Sequence, residues 1–244
     1  MKRALFILAF CLELSRGSFA AAPSFDSANK LYFEGKFAEA ASAYQTLLTN
    51  APRSPTLYFN LGNAFFKQRR IGQAIACYRQ AEDLAPRDPD IRANLEFARR
   101  QVEGVTLKTG GWLELLKRLT VNEWAGIAAV SFWTFFMLLA ARQIRPKLSR
   151  PLRVPIVAAG AVASALIALT TLVWQSERSE RIAVVAVPEA TVRTGPFDTA
   201  RNVMVLHDGA ELRVLDEKND WLQVSAGERT SGWVPREAVA AARL

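Results

Sequence analysis

Four asparagines stand out for their spacing. Asn29 and Asn63 lie 34 residues apart, and so do Asn60 and Asn94. A primary amide offers two donors and one acceptor oxygen. A row of such side chains can pair with the peptide units of an extended ligand, or can serve as ordinary polar positions of a fold. Material for catalysis is scarce. His207 is the only histidine, and no nucleophile or third orienting group accompanies the His207-Asp208 pair. "HDG" ahead of a β-rich run reads as a turn in which Gly209 supplies an unusual dihedral. Cys11 and Cys77 match no metal or redox spacing. No catalytic, cofactor or metal site is expected, and the chain reads as a non-enzyme.

Charge is concentrated. The chain carries net +8, yet the twelve residues 142–153 alone hold Arg142, Arg145, Lys147, Arg150 and Arg153 with no acid. A local excess of this kind does not describe one basic face, which argues against nucleic acid as a partner. The stretch separates two charge-free apolar segments, 124–141 and 154–174. As helices they measure roughly 27 and 31 Å, close to the hydrocarbon thickness of a bilayer. Trp124 and Trp174 fall at the ends that share one side of such a hairpin, where indoles favour the interface. Basic residues in short loops remain cytoplasmic, so 142–153 is expected to be a cytoplasmic loop between two transmembrane helices.

Residues 1–22 point to the same topology. Lys2 and Arg3 precede a short apolar run, and small residues come next through Ala20-Ala21-Ala22, with Ser18-Phe19-Ala20 as an alternative cleavage site. This is a signal-peptide pattern that would export the chain from residue 23 onward. Bulky Phe10 before Cys11 argues against a lipoprotein signal. Residues 104–123 form a linker with an amphipathic piece, "WLELLKRL", suited to a membrane surface.

Residues 23–103 read as one domain, within which 24–101 contain an internal repeat of 34. Asn29 aligns with Asn63, Ala40 with Ala74, Tyr44 with Tyr78 and Pro52 with Pro86. Within 55–88 the order is Tyr58, Leu61, Gly62, Phe65, Ala74, Tyr78, Ala81 and Pro86. Small residues at 62, 74 and 81 allow two helices to approach. Large ones at 58, 65 and 78 fill the space beside them, and Pro86 stops the second helix. This series resembles the tetratricopeptide repeat. A final helix from Asp90 to about Val102 fits a cap. The resemblance places Asn29, Asn60, Asn63 and Asn94 on the first helices of their repeats, which line the concave groove and often hold an extended ligand. Phe25 and Asp90 stand where a carboxylate clamp would have basic residues, which disfavours capture of a free C-terminus.

Residues 182–244 read as short strands. Val192, Arg193, Gly195, Pro196, Gly209, Trp221, Gly232 and Trp233 make the segment similar to a bacterial SH3-type domain. Its two tryptophans are expected to anchor a small barrel core rather than a ligand platform.

The expected architecture is a multi-domain membrane protein: an all-α repeat solenoid, a two-helix transmembrane hairpin and a small all-β SH3-like barrel. This order resembles the BatE-type proteins of the bacterial aerotolerance operon. The resemblance implies a non-enzymatic inner-membrane scaffold with both terminal domains in the periplasm. Its implied partners are other Bat-type membrane proteins carrying von Willebrand A-type domains and a MoxR-type ATPase, with membrane lipid around the hairpin. A second reading has the SH3-type segment bind peptidoglycan.

Overall fold

The computed structural model describes residues 23–50, 53–102, 107, 115–116, 119–179, 181–227 and 230–243. The expected signal peptide, Cys11 and most of the expected 104–123 linker lie outside the described residues.

Among the described residues, five helices form the N-terminal domain: α1 (Phe25–Phe33), α2 (Phe37–Asn50), α3 (Pro55–Lys67), α4 (Ile71–Leu84) and α5 (Pro89–Arg99). Their starts follow from local chemistry. Ser24 caps α1 through the Ser27 amide, Ser54 caps α3 ahead of Pro55, and Asp88 caps α5 ahead of Pro89. Each side-chain oxygen satisfies an amide that has no partner in the first turn. Helix α4 differs: Arg70 at its N-cap makes no side-chain cap, and no acid lies in its first turn.

Packing within the pairs obeys size. A Cβ on Gly62 would stand 2.6 Å from the ring of Tyr78, so only glycine lets α3 and α4 meet there. Tyr44, Phe65, Ala74, Tyr78 and Leu95 are buried in one core. Tyr58, expected among the fillers, is half-buried, and its neighbour Leu57 takes the interior position. The helix turns the position after Leu57 outward by about 100°.

Two long helices form a hairpin: α6 (Val121–Ile144) and α7 (Arg153–Ser179). Both outrun the apolar segments expected from sequence. A capping box between Thr120 and Glu123 starts α6 early, and the helix continues through Arg142. The connection therefore shrinks to residues 145–152, with a single 3-10 turn at Pro146–Leu148. Gly160 meets Phe135, whose ring would stand 3.0 Å from an added Cβ. Both helices are long and apolar enough, by length and composition, to cross a membrane.

Among the described residues, seven strands follow: β1 (Ile182–Val185), β2 (Glu189–Arg193), β3 (Asn202–His207), β4 (Glu211–Lys218), β5 (Trp221–Ala226), β6 (Thr230–Pro235) and β7 (Val239–Arg243). They form one antiparallel sheet in the order β3-β2-β6-β5-β4-β1-β7. This corrects the expected barrel, because the sheet does not close. Its last strand, β7, packs against α4 instead of pairing with β3. Strand β1 is buried on both faces. Ala183 and Val185 enter the sheet's own core with Val192, Leu212, Leu222, Val224 and Val234. Ile182 and Val184 enter the helical core together with Ala242. The first and last domains are thus docked, although the hairpin separates them in sequence.

Candidate functional site

The four asparagines come together as two copies of one network. Asn29 Oδ1 accepts from Tyr44 Oη at 2.6 Å and from Asn60 Nδ2 at 3.2 Å. One repeat later, Asn63 Oδ1 accepts from Tyr78 Oη at 2.7 Å and from Asn94 Nδ2 at 3.0 Å. Each carbonyl is saturated by its two donors. Among the described residues, Asn29 Nδ2 and Asn60 Oδ1 remain unengaged, one donor and one acceptor. A cavity of about 320 Å³ opens beside them, lined by Asn29, Tyr32, Phe33, Tyr44, Asn60 and Asn63. Phe33 is 84% exposed at this rim. Asn94 stands behind Asn63 and does not line the cavity. The tyrosines of the repeat pattern thus have a second role: their rings fill the core and their hydroxyls hold the asparagines in place. Burial raises the Tyr44 and Tyr78 phenols above their ordinary range, so both remain donors at neutral pH.

Sequence reasoning missed a second constellation. Glu211 opens β4 and is fully buried, with 0% exposure. Its carboxylate accepts from Arg79 Nη2 at 2.5 Å, Arg99 Nε at 2.8 Å and the Leu107 amide at 3.0 Å. Arg79 Nη2 also donates to Leu107 O at 2.8 Å. Burial alone would raise the Glu211 carboxyl; the Arg79 and Arg99 guanidinium groups outweigh it and hold it below the usual carboxylate range. Nearby, Gln80 Nε2 donates to Ala241 O at 2.6 Å, linking α4 to β7.

The turn before β4 provides the missing helix cap. Asp208 Oδ2 accepts from the Ile71 amide and Oδ1 from the Gly72 amide, each at 3.1 Å. A carboxylate there also complements the positive end of the α4 dipole. Gly209 adopts φ +87 in that turn, and a Cβ on Gly72 would fall 1.8 Å from Val185 O. Asp208 is therefore engaged in docking, while His207 beside it is exposed. Arg87 pairs with Glu123 at the start of α6, so the helical domain also touches the hairpin.

The SH3-type residues divide between two faces of the sheet. Val192 is buried in the core, and Gly232 admits it, since a Cβ would stand 2.4 Å from Val192 Cγ1. An added Cβ on Gly195 would meet Phe197 at 2.6 Å, and Pro196 is half-buried beside it. The expectation that Trp221 and Trp233 fill the core is corrected. Along β5 and β6 the buried positions are Leu222, Val224, Gly232 and Val234, so strand alternation sends both indoles to the opposite face. There the Arg193 guanidinium lies 5.6 Å from the Trp221 ring centroid, and Arg193 is opposite Trp233 in register. Cys77 is buried, and burial pushes its thiol up to about 12. Among the described residues no three His, Cys, Asp or Glu side chains gather as metal ligands would.

Comparison with known proteins agrees with this division. The tetratricopeptide repeat family matches residues 25–89, and the bacterial SH3 domain family matches residues 186–240. No curated protein matches the chain.

Proposed function

We propose that this chain is a non-enzymatic membrane scaffold whose helical groove binds an extended segment of a partner protein. The observation that carries the reading is the pair of Asn–Asn–Tyr networks, repeated one repeat apart beside an open cavity. Fixed amides with a donor and an acceptor left over suit peptide-backbone pairing, and the exposed Phe33 ring suits an apolar side chain of the same segment. Large apolar side chains exposed on α6 and α7, such as Met137 at 70% and Trp133 at 66%, support insertion in a bilayer. The docking of the sheet on α4 fits two crossings, because two crossings return the chain to the side it left. With the basic connection in the cytoplasm, both domains face the periplasm of a bacterial inner membrane.

The order of repeats, hairpin and SH3 domain makes a Bat-type complex the proposed setting, with von Willebrand A-type membrane proteins and a MoxR-type ATPase as partners. The test is affinity capture of the full chain from detergent-solubilised membranes. Wild type should recover such partners, and the Asn29→Ala, Asn60→Ala, Asn63→Ala, Asn94→Ala combination should lose them. Equal recovery by both would refute the groove.

A second reading rests on the Arg193, Trp221 and Trp233 face, which suits a polar ligand with a ring or sugar to stack. If that ligand is peptidoglycan, the solubilised full chain pellets with purified cell wall and Trp233→Ala does not. Absence of pelleting by wild type would dismiss it.

A further inference from the structure

We propose that the basic end of the hairpin is a binding site for an anionic phospholipid, with the headgroup phosphate on Arg153 and its neighbours and an acyl chain along α7. The inference rests on the reading of α6 and α7 as membrane spans. A groove of about 350 Å³ runs along α7, lined by Arg153, Val154, Val157, Ala158 and Ala161. These positions share one face of a helix. The single charged member stands at the end of the groove, and every other member is apolar. Val157 is 72% exposed there. From Val154 to Ala161 the track covers about 11 Å, most of the roughly 15 Å depth of one leaflet.

Four more cations gather at the same end. Arg142 lies in the last turn of α6 and Arg145 follows it. Lys147 lies in the 3-10 turn, and the Arg153 amide donates to Arg150 O at 3.3 Å. Among the described residues none of these five forms an ion pair. Arg79, Arg87, Arg99, Arg181 and Arg236 elsewhere in the chain each meet a carboxylate. No Asp or Glu occurs between Glu123 and Glu177, so the hairpin offers no internal counter-charge. The complement of five uncompensated cations beside an apolar track is a molecule with an anionic head and a hydrocarbon tail. Free phosphate would satisfy only the head, and a zwitterionic lipid lacks the net charge.

The experiment uses the full chain purified in detergent and incubated with dioleoylphosphatidylglycerol or dioleoylphosphatidylcholine, with bound lipid counted by native mass spectrometry. The anionic lipid should be retained about tenfold over the zwitterionic one. Arg150→Gln with Arg153→Gln leaves three cations to hold the orientation of the hairpin and should abolish the preference. Val157→Trp keeps all five charges but fills the groove, and should lower retention of both lipids. Equal retention of the two lipids by wild type, or wild-type behaviour in both variants, would overturn the site. Full displacement by inorganic phosphate would assign the cations to a free anion and overturn it too. Carbonate extraction of membranes separates this failure from that of the premise: a chain that stays in the pellet without lipid preference keeps the hairpin and loses the site, whereas a chain released by carbonate was never spanning.

Discussion

Tyr78 and Arg79 are consecutive residues of α4 that reach in different directions. The Tyr78 hydroxyl donates to Asn63 at the groove, and the Arg79 guanidinium donates to Glu211 of the docked sheet. One turn of helix therefore joins the candidate binding surface to the interface between domains. Whatever tightens one contact limits the freedom of the helix that makes the other.

Removal of Glu211 should undo the docking. Truncation leaves two largely buried guanidinium groups without their carboxylate, and breaking a buried pair from one side costs roughly 3–5 kcal/mol. Glu211→Ala is expected to lower the unfolding midpoint and to speed hydrogen exchange in α4, including the turn that holds Tyr78, while α1 and α2 change little. Unaltered exchange in α4 would show that the pair does not hold the helix.

Acid should act on the same contact. Glu211 has its carboxyl below the ordinary value of 4.5 because Arg79 and Arg99 outweigh the burial that would raise it. A depressed folded-state value means that its stabilisation is complete above the unfolded value and is lost as pH falls through the folded one. Asp208 shifts the other way: burial raises it, against the amides of Gly72, Ile71 and Gly209. Its contribution declines as pH climbs from the unfolded value of 3.8 through the raised one. Comparing wild type with Glu211→Gln isolates the first effect. The gap in melting temperature between them should be widest at neutral pH and should close below about pH 4.5.

Gly72 and Asp208 should matter for a helix in another domain's hands. Gly72→Ala drives a methyl into Val185 O and separates β1 from α4. Asp208→Ala leaves the Ile71 and Gly72 amides uncapped, at a cost of about 1 kcal/mol. Both variants should speed hydrogen exchange in β1 and in the first turn of α4, with α1 and α2 still protected. A Gly72→Ala chain that exchanges as slowly as wild type in β1 would contradict the close approach.

Cys77 should be silent until the fold opens. Its buried thiol, raised to about 12, offers almost no thiolate at pH 8. Alkylation by iodoacetamide is expected only above the denaturant midpoint of the helical domain. Labelling in native buffer would place Cys77 at an opening seam.

The parts of this protein differ in how plainly they are written. Gly62, Ala74, Tyr78 and Ala81 announce a helix pair because the contact between neighbouring helices is local and repeats every 34 residues. The two long apolar helices are legible because a charge-free length can be read directly from the residues. Docking has no such periodic mark. Glu211 reads as one more acid on a strand, and its partners Arg79 and Arg99 lie 132 and 112 residues away. Trp221 and Trp233 mislead for a related reason: size suggests the interior, but the strand phase fixed by Leu222, Val224 and Val234 sends them out. The asparagines are legible from spacing alone, while the hydroxyls that orient them hide inside Tyr44 and Tyr78, whose rings already account for those positions as filler.

The cap on α4 gives the order of synthesis a consequence. Asp208 leaves the ribosome after both long apolar helices, so the second repeat is made before the group that completes it exists. Until β4 forms and docks, the Ile71 and Gly72 amides lack the Asp208 carboxylate and Arg79 and Arg99 lack Glu211. A chain that stops short of β4 therefore carries a second repeat with an uncapped helix and two arginines without their carboxylate, and the final domain completes the repeat as well as itself.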